Sequence, residues 1–279
     1  MSEGPIIRTM TRDDLDFAIL MAAKEGWNPG LSDAECFYAA DPKGFFVSEL
    51  NGEPVATISA VRYEDDFGFL GLYIVIPEAR GKGYGTELWH HAMKHLEGCN
   101  IGLDAVLEQE QTYKKAGFST FYRSTRFEGV GGGVKPDGVV RLENVDFTKV
   151  MAYDRHCFPG AREPFLQAWL EAAGARGFAV MKGDDLRGFG VIRPCAKGYK
   201  IGPLFADDTL IAELILKALK AAIPGEPFYL DVIEPNTAAV ELARKHELTE
   251  VFITVRMYTE AEPNMAMNKI FGVTSFELG

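Results

Sequence analysis

Apolar and polar positions along this chain alternate between a period of two and a period near 3.6, as in folds that interleave strands with helices. The run from Phe67 to Ile76, FGFLGLYIVI, is almost wholly apolar and rich in aromatic and branched residues, so it predicts a strand covered on both faces. Pro77 ends it. Leu88, Trp89, Ala92, Met93 and Leu96 then recur at helical spacing. Nearer the start, Thr11 and Asp14 form a capping pair for a helix running towards Lys24. Gly26-Trp27-Asn28-Pro29-Gly30 breaks that helix, and Ser32 caps a second, short one ending before Asp41-Pro42. Phe45 to Leu50, the turn Asn51-Gly52, and Pro54 to Tyr63 predict a β-hairpin. A strand around Ile101 to Val106, a short helix to Lys115 and a last strand near Phe118 to Phe127 follow.

The glycine-rich stretch from Gly129 to Gly138 predicts a flexible linker. Residues 1–128 and 139–279 are then the expected domains. The second reads as a diverged copy of the first. Gly177-Phe178-Ala179-Val180 echoes Gly44-Phe45-Phe46-Val47, and Leu230-Asp231-Val232 echoes Leu103-Asp104-Ala105. The expected fold class is α/β, with α+β mixed sheets: two similar domains, each a central twisted mixed sheet flanked by helices.

At 279 residues with 47% apolar and 25% charged content, the chain has room for two ordinary cores. No apolar run approaches membrane-spanning length, and MSEGPIIRTM has none of the marks of a signal peptide, so a cytoplasmic protein is expected. Cys36, Cys99, Cys157 and Cys195 lack metal-ligand or disulfide spacing. The net charge of −11 is concentrated in residues 1–128, with 20 acidic against 12 basic side chains. This argues against nucleic acid as a partner and suits a cationic amine.

Three glycines between a buried strand and a helix N-terminus leave bare N–H groups, backed by the positive end of the helix dipole, that suit a phosphate. Arg80-Gly81-Lys82-Gly83-Tyr84-Gly85-Thr86 is not a P-loop, because no window fits GxxxxGK[ST]. It is not a dinucleotide fingerprint either, because Thr86 stands at the last glycine position. It does match [RQ]xxGx[GA], with Arg80, Gly83 and Gly85 in the three slots. That pattern resembles the acetyl-CoA loop of the GNAT N-acetyltransferase superfamily. Tyr113-Lys114-Lys115-Ala116-Gly117-Phe118 is similar to the family's Yxx(x)GF element, and the element order over Ile6 to Glu128 is the GNAT order. In the second half the glycine loop is absent between Gly202 and Thr209, and Ala243 and Glu247 stand in the tyrosine and glycine slots. The chain therefore resembles tandem GNAT proteins with one intact half and one degenerate half, the latter walling the acceptor site.

The resemblance implies acetyl-CoA as co-substrate and an amine as acceptor. Acetyl transfer from a thioester needs a neutral amine, although a free alkylamine has a pKa of about 10.4. It also needs support for the developing oxyanion and a proton for the departing thiolate. By resemblance, Tyr73, Ile74 and Val75 on a splayed fourth strand hold the pantetheine arm, and the amides from Gly81 to Thr86 hold the pyrophosphate. Tyr113 is the implied general acid. Asp104, at the end of the fifth strand, is the candidate base, with Glu64, Asp65 and Asp66 as alternatives. Trp27, Asn28 and Tyr63 are candidate substrate contacts. The Asn usually found seven residues before the tyrosine is replaced by Val106, which bears on how Tyr113 is positioned. His91 and His95 share a helix face but lack HExxH context, so no metal is expected. The expected activity is N-acetyl transfer to a small primary amine in a ternary complex. A protein acceptor and a CoA-binding module without catalysis are the alternative readings.

Overall fold

The computed structural model describes residues 4–64 and 66–279. The first half runs β1 (Ile6–Thr9), α1 (Arg12–Lys24), α2 (Asp33–Ala40), β2 (Phe45–Leu50), β3 (Glu53–Tyr63), β4 (Phe67–Val75), α3 (Tyr84–His95), β5 (Asn100–Val106), α4 (Glu110–Lys115) and β6 (Ser119–Val130). The second half repeats the order as β7 (Val139–Arg141), α5 (Phe147–Cys157), α6 (Glu163–Glu171), β8 (Arg176–Lys182), β9 (Asp185–Pro194), β10 (Tyr199–Ala206), α7 (Thr209–Ala221), β11 (Pro227–Ile233), α8 (Thr237–Lys245) and β12 (Thr249–Tyr258). A short strand, β13 (Ile270–Gly272), follows.

Local chemistry explains several of these elements. Thr11 and Asp14 close a reciprocal capping box on α1. Asn51 and Gly52 both have positive φ (55° and 83°), the geometry of a hairpin turn whose twist matches its strands. Ser32 stands at the start of α2, but its side chain makes no cap bond.

The two halves share one sheet, in the order β1-β2-β3-β4-β5-β12-β6-β11-β10-β9-β8-β7. The last strand of each half has changed places. β12 pairs with β5, and β6 pairs with β11, both antiparallel. The expected linker is correspondingly shorter, because Gly129 and Val130 belong to β6 and pair with Phe228 and Pro227. Beyond them the chain is docked, with the Gly131 and Gly132 amides donating to Glu226 and Lys220 carbonyls.

The exchange puts two aspartates opposite two arginines. Asp104 on β5 faces Arg256 on β12, and Asp231 on β11 faces Arg126 on β6. Both pairs are bidentate: Arg256 donates to Asp104 at 2.9 and 2.7 Å, and Arg126 donates to Asp231 at 2.6 and 2.7 Å. All four side chains are almost wholly buried, so losing either member of a pair leaves an uncompensated charge in the interior.

Period-two patterning sends alternate strand residues to opposite faces. Phe45, Val47, Val61, Phe67 and Phe69 face a core shared by both halves, which also takes in Leu15, Phe37, Phe165 and Trp169 from the helices. On the other face the halves keep separate cores, one under α3 and one under α7 and α8. Asp33 and Arg193 add a buried ion pair across the halves at 2.9 Å. Among the described residues no helix is long and apolar enough to cross a membrane.

Candidate active site

In each half a parallel strand pair starts in register and then diverges. β4 and β5 pair only from Phe67/Asn100 to Leu70/Leu103, and β10 and β11 only from Tyr199/Phe228 to Ile201/Leu230. A register shift marks both divergences, between Thr57 and Ser59 on β3 and between Ile201 and Leu204 on β10. In the first half, Leu72 takes a φ of 47° at this point, a costly geometry for a branched residue that persists only where its surroundings enforce it.

The carboxy-terminal segment crosses both divergences. A Cβ on Gly71 would collide with the Glu277 carbonyl oxygen, and one on Gly202 with the Thr274 carbonyl oxygen. Glycine at the two positions lets the backbones approach. In the second half β13 also pairs with β10, Leu204 opposite Gly272 and Phe205 opposite Ile270, and the Val273 amide donates to the Asp231 carbonyl at 2.9 Å. The chain thus fills its own second-half splay with a strand.

The first-half splay is open. It forms a cleft of about 510 Å³ whose walls include Tyr73, Ile74, Val75, Arg80, Thr86, Trp89, Thr112 and Tyr113. The Ile76 amide donates to Val55 on β3, so by strand alternation the Val75 amide and carbonyl point the other way, into the splay. There the carbonyl accepts from Arg80 Nε at 2.9 Å. Arg80 also pairs with Glu25 at 2.5 Å, bracing the cleft mouth.

At one end of the cleft stands the glycine loop. Gly81 and Gly83 have φ of 73° and 87°, which L side chains rarely adopt. No side chain caps α3, and the loop's backbone bonding begins only at the Thr86 amide. Gly81, Lys82 and Gly83 are exposed, Tyr84 is half-buried and Thr86 is exposed. Gly85 is buried: a Cβ there would press to 2.8 Å on both Tyr73 Oη and Val75 Cγ2, so a glycine seats the helix on β4. Free amides on a helix N-terminus with no acidic cap suit a diphosphate.

At the other end is Tyr113. Its ring packs 5.6 Å from Trp89, which lies the same distance from Tyr73. Among the described residues no group hydrogen-bonds to its hydroxyl. Burial raises its pKa above the usual phenol value, so it is a neutral donor at physiological pH. Trp27, Tyr73, Trp89 and Tyr113 also line an inner chamber of about 90 Å³, closed by Asp104, Arg126, Phe252, Phe276 and Glu277. Strand exchange and the carboxy-terminal segment bring these last groups in from both halves.

Not every expected contact is here. Asp104 borders the chamber, but both its oxygens bind Arg256; its side chain is fully buried, and desolvation pushes its pKa up against the pull of that guanidinium. Burial thus favours its protonation, while the two bonds to Arg256 tie it to a structural role. Tyr63 is 2% exposed and donates to the Leu278 carbonyl at 3.0 Å, fixing the carboxy-terminal segment rather than meeting solvent or substrate. Asn28 bonds the Lys197 amide and carbonyl at 2.8 and 3.1 Å, so it clasps the halves together outside the cleft. Trp27 does reach both cavities. Its carbonyl accepts from Arg126 at 2.8 Å and lies 3.4 Å from the Lys200 ammonium. Glu64 pairs with Arg155 at 2.8 Å, the Asp66 carbonyl accepts from the Asn100 amide, and Asp65 lies outside the described residues. His91 and His95 pack edge-on against Phe46. All four cysteines are buried thiols, and desolvation pushes Cys36 up to about 12.

Sequence reasoning missed Arg126, Phe276 and Glu277, because nothing local marks a residue brought in by strand exchange or by the carboxy-terminal segment. One signal was present: an aspartate repeated at matching positions of an intact and a degenerate half points to architecture more than to catalysis.

An open splayed strand, an uncapped glycine loop and a tyrosine at the far end fit an acyltransferase. Comparison with known proteins agrees. Residues 12–118 match the Acetyltransferase (GNAT) family, and residues 150–272 match an Acetyltransferase (GNAT) domain. The chain belongs to the GNAT acetyltransferases, as a tandem protein with two such domains. It is 34% identical over 261 residues to holothin acyltransferase of Pseudoalteromonas sp. (strain SANK 73390), covering 92% of this chain and 89% of that one. A candidate acetyltransferase from Pyrococcus horikoshii is similar across 100% of this chain and 97% of its own, with TM-score 0.86 and 26% identity. A tandem GNAT protein from the clavulanic acid biosynthesis pathway shares the fold at TM-score 0.61 and 12% identity, over 92% of this chain and 99% of that one.

Proposed function

We propose that this acyltransferase moves the acetyl group of acetyl-CoA to a primary amine of a small molecule, by direct transfer in a ternary complex. The observation that carries the reading is the contrast between splays: the first is open between free loop amides and Tyr113, while the second is occupied by β13. In the second half, Leu204 and Phe205 take a strand along the edge that corresponds to Tyr73 and Ile74. An extended pantetheine arm can use the first-half edge in the same way, with the diphosphate on the amides from Gly81 to Gly85 and near the Thr86 hydroxyl.

The Val75 amide faces the splay, where it can donate to the thioester oxygen as that oxygen gains charge. Tyr113, neutral and with no hydrogen bond to its hydroxyl among the described residues, can protonate the departing thiolate. The chamber beyond Tyr113 is small and walled by both halves, which favours a compact acceptor over a protein segment. The relative named for acylating holothin, a small molecule, supports the same class of acceptor.

The test is free-thiol release from acetyl-CoA across a panel of primary amines, with wild type and Tyr113→Phe compared. Turnover is expected with at least one small amine, and the variant should lose about 100-fold, the usual scale of one proton-transfer group. Release of thiol that never depends on an amine would reject the reading.

A further inference from the structure

The inner chamber contains a carboxylate with one oxygen left without a hydrogen-bond donor among the described residues. Glu277 is 4% exposed and lines the chamber beside Asp104 and Arg126. Its Oε2 accepts one hydrogen bond, from Ser275 Oγ at 2.8 Å. Among the described residues nothing bonds Oε1, and no Lys, Arg or His nitrogen lies within ion-pair distance of this carboxylate. The nearby cations act on it through space and make their direct contacts elsewhere. Arg126 is held by Asp231, Arg256 by Asp104, and Lys200 approaches the Trp27 carbonyl.

An ionised carboxylate offers about four acceptor sites, and a buried one with a single hydroxyl donor is far from satisfied. The positive charge of buried Arg126 and Lys200 acts on Glu277 through space, yet Oε1 still offers an unfilled acceptor to the cavity, which suits an N–H donor such as the ammonium of a ligand. The cavity adjoins Tyr113, and both Asp104 oxygens already bind a guanidinium, whereas Glu277 Oε1 binds nothing among the described residues.

We infer that Glu277 receives the ammonium group of the acceptor and takes its proton, so that a residue at the end of the second half serves the reaction of the first. This rests on the acetyl-transfer reading above. One proton passes from the ammonium nitrogen to Glu277 Oε1 and on to solvent. The freed lone pair forms the N–C bond at the thioester carbon. As the adduct collapses, the C–S electron pair goes to sulfur, which takes the Tyr113 proton. The second nitrogen proton restores the phenol. One proton is released per amide formed.

Wild type, Glu277→Gln and Glu277→Asp are assayed with acetyl-CoA and two acceptors: phenethylamine, a cation at neutral pH, and aniline, which is neutral there. Glu277→Gln should lower kcat/KM for phenethylamine about 100-fold, and for aniline less than about tenfold, with acetyl-CoA affinity by calorimetry unchanged. Glu277→Asp should recover part of the loss. Choline, a cation with no nitrogen to acetylate, should compete with phenethylamine in the wild type, whereas its neutral isostere dimethylbutanol should not; this arm needs no variant to fold. Equal losses on the two amines, full activity in Glu277→Gln, or no competition by choline would each overturn the assignment. If wild type releases no thiol in response to any panel amine, the acetyl-transfer reading fails first and the role of Glu277 goes with it.

Discussion

The two halves of this protein follow one plan, yet their central grooves have opposite fates. In the first half, α3 begins on Gly83 with no side-chain cap, and the splay between β4 and β5 is open. In the second, Asp208 caps α7 by accepting from the Ile211 amide at 2.9 Å, and β13 fills the splay beside β10. Where the first half has Tyr113 and Gly117, the second has the fully buried Ala243 and Glu247 at a φ of 56°. A GNAT sheet therefore creates a strand-shaped vacancy by its geometry alone. Chemistry depends on whether the chain leaves that vacancy to a ligand or closes it with its own backbone.

The exchanged ion pairs are what the halves have in common, and breaking them should have the largest effect. Arg126→Met and Arg256→Met each strand a buried aspartate, and urea unfolding should show a loss of about 3–5 kcal/mol for either. A large effect in one and none in the other would mean the pairs are not structural equivalents.

The next test separates the grooves. Gly83→Asp sets a carboxylate where the diphosphate is proposed to sit and forces a side chain into positive φ. Acetyl-CoA affinity by calorimetry should fall about 100-fold or more. Asp208→Gly in the second half should leave the stoichiometry at one acetyl-CoA per chain, since β13 still occupies the groove.

Restoring the missing tyrosine sharpens the contrast further. Ala243→Tyr should create no activity and should destabilise the fold by about 1–3 kcal/mol through overpacking, measured by denaturant midpoint. The smallest effect is expected from Asp208→Ala, which removes the α7 cap at a cost of about 1 kcal/mol and leaves acetyl-CoA affinity unchanged.

Much of the first half was legible in order of residues. The Phe67–Ile76 run, Pro77 and the glycine loop are contiguous, so their meaning follows from local rules of strand burial, chain reversal and uncapped amides. Tyr113 was singled out as the candidate acid because its neighbours Gly117 and Phe118 travel with it, and the structure sets it at the cleft. Asp104 was read only as a candidate base, because its repetition as Asp231 took on a structural meaning only once Arg256 and Arg126 were seen opposite them. Tyr63 and Asn28 were misplaced for a related reason: their partners, Leu278 and Lys197, lie 215 and 169 positions away along the chain.

Periodicity and glycine spacing by themselves determined the element order, the repeat and the loop with free amides, since each depends on interactions within a few residues. Tertiary structure decided which strand closes which sheet, which splay remains open and which carboxylate faces the inner chamber. Those outcomes come from pairing distant segments, where a backbone edge accepts whichever partner best buries its apolar face and satisfies its hydrogen bonds, and no local pattern encodes that choice.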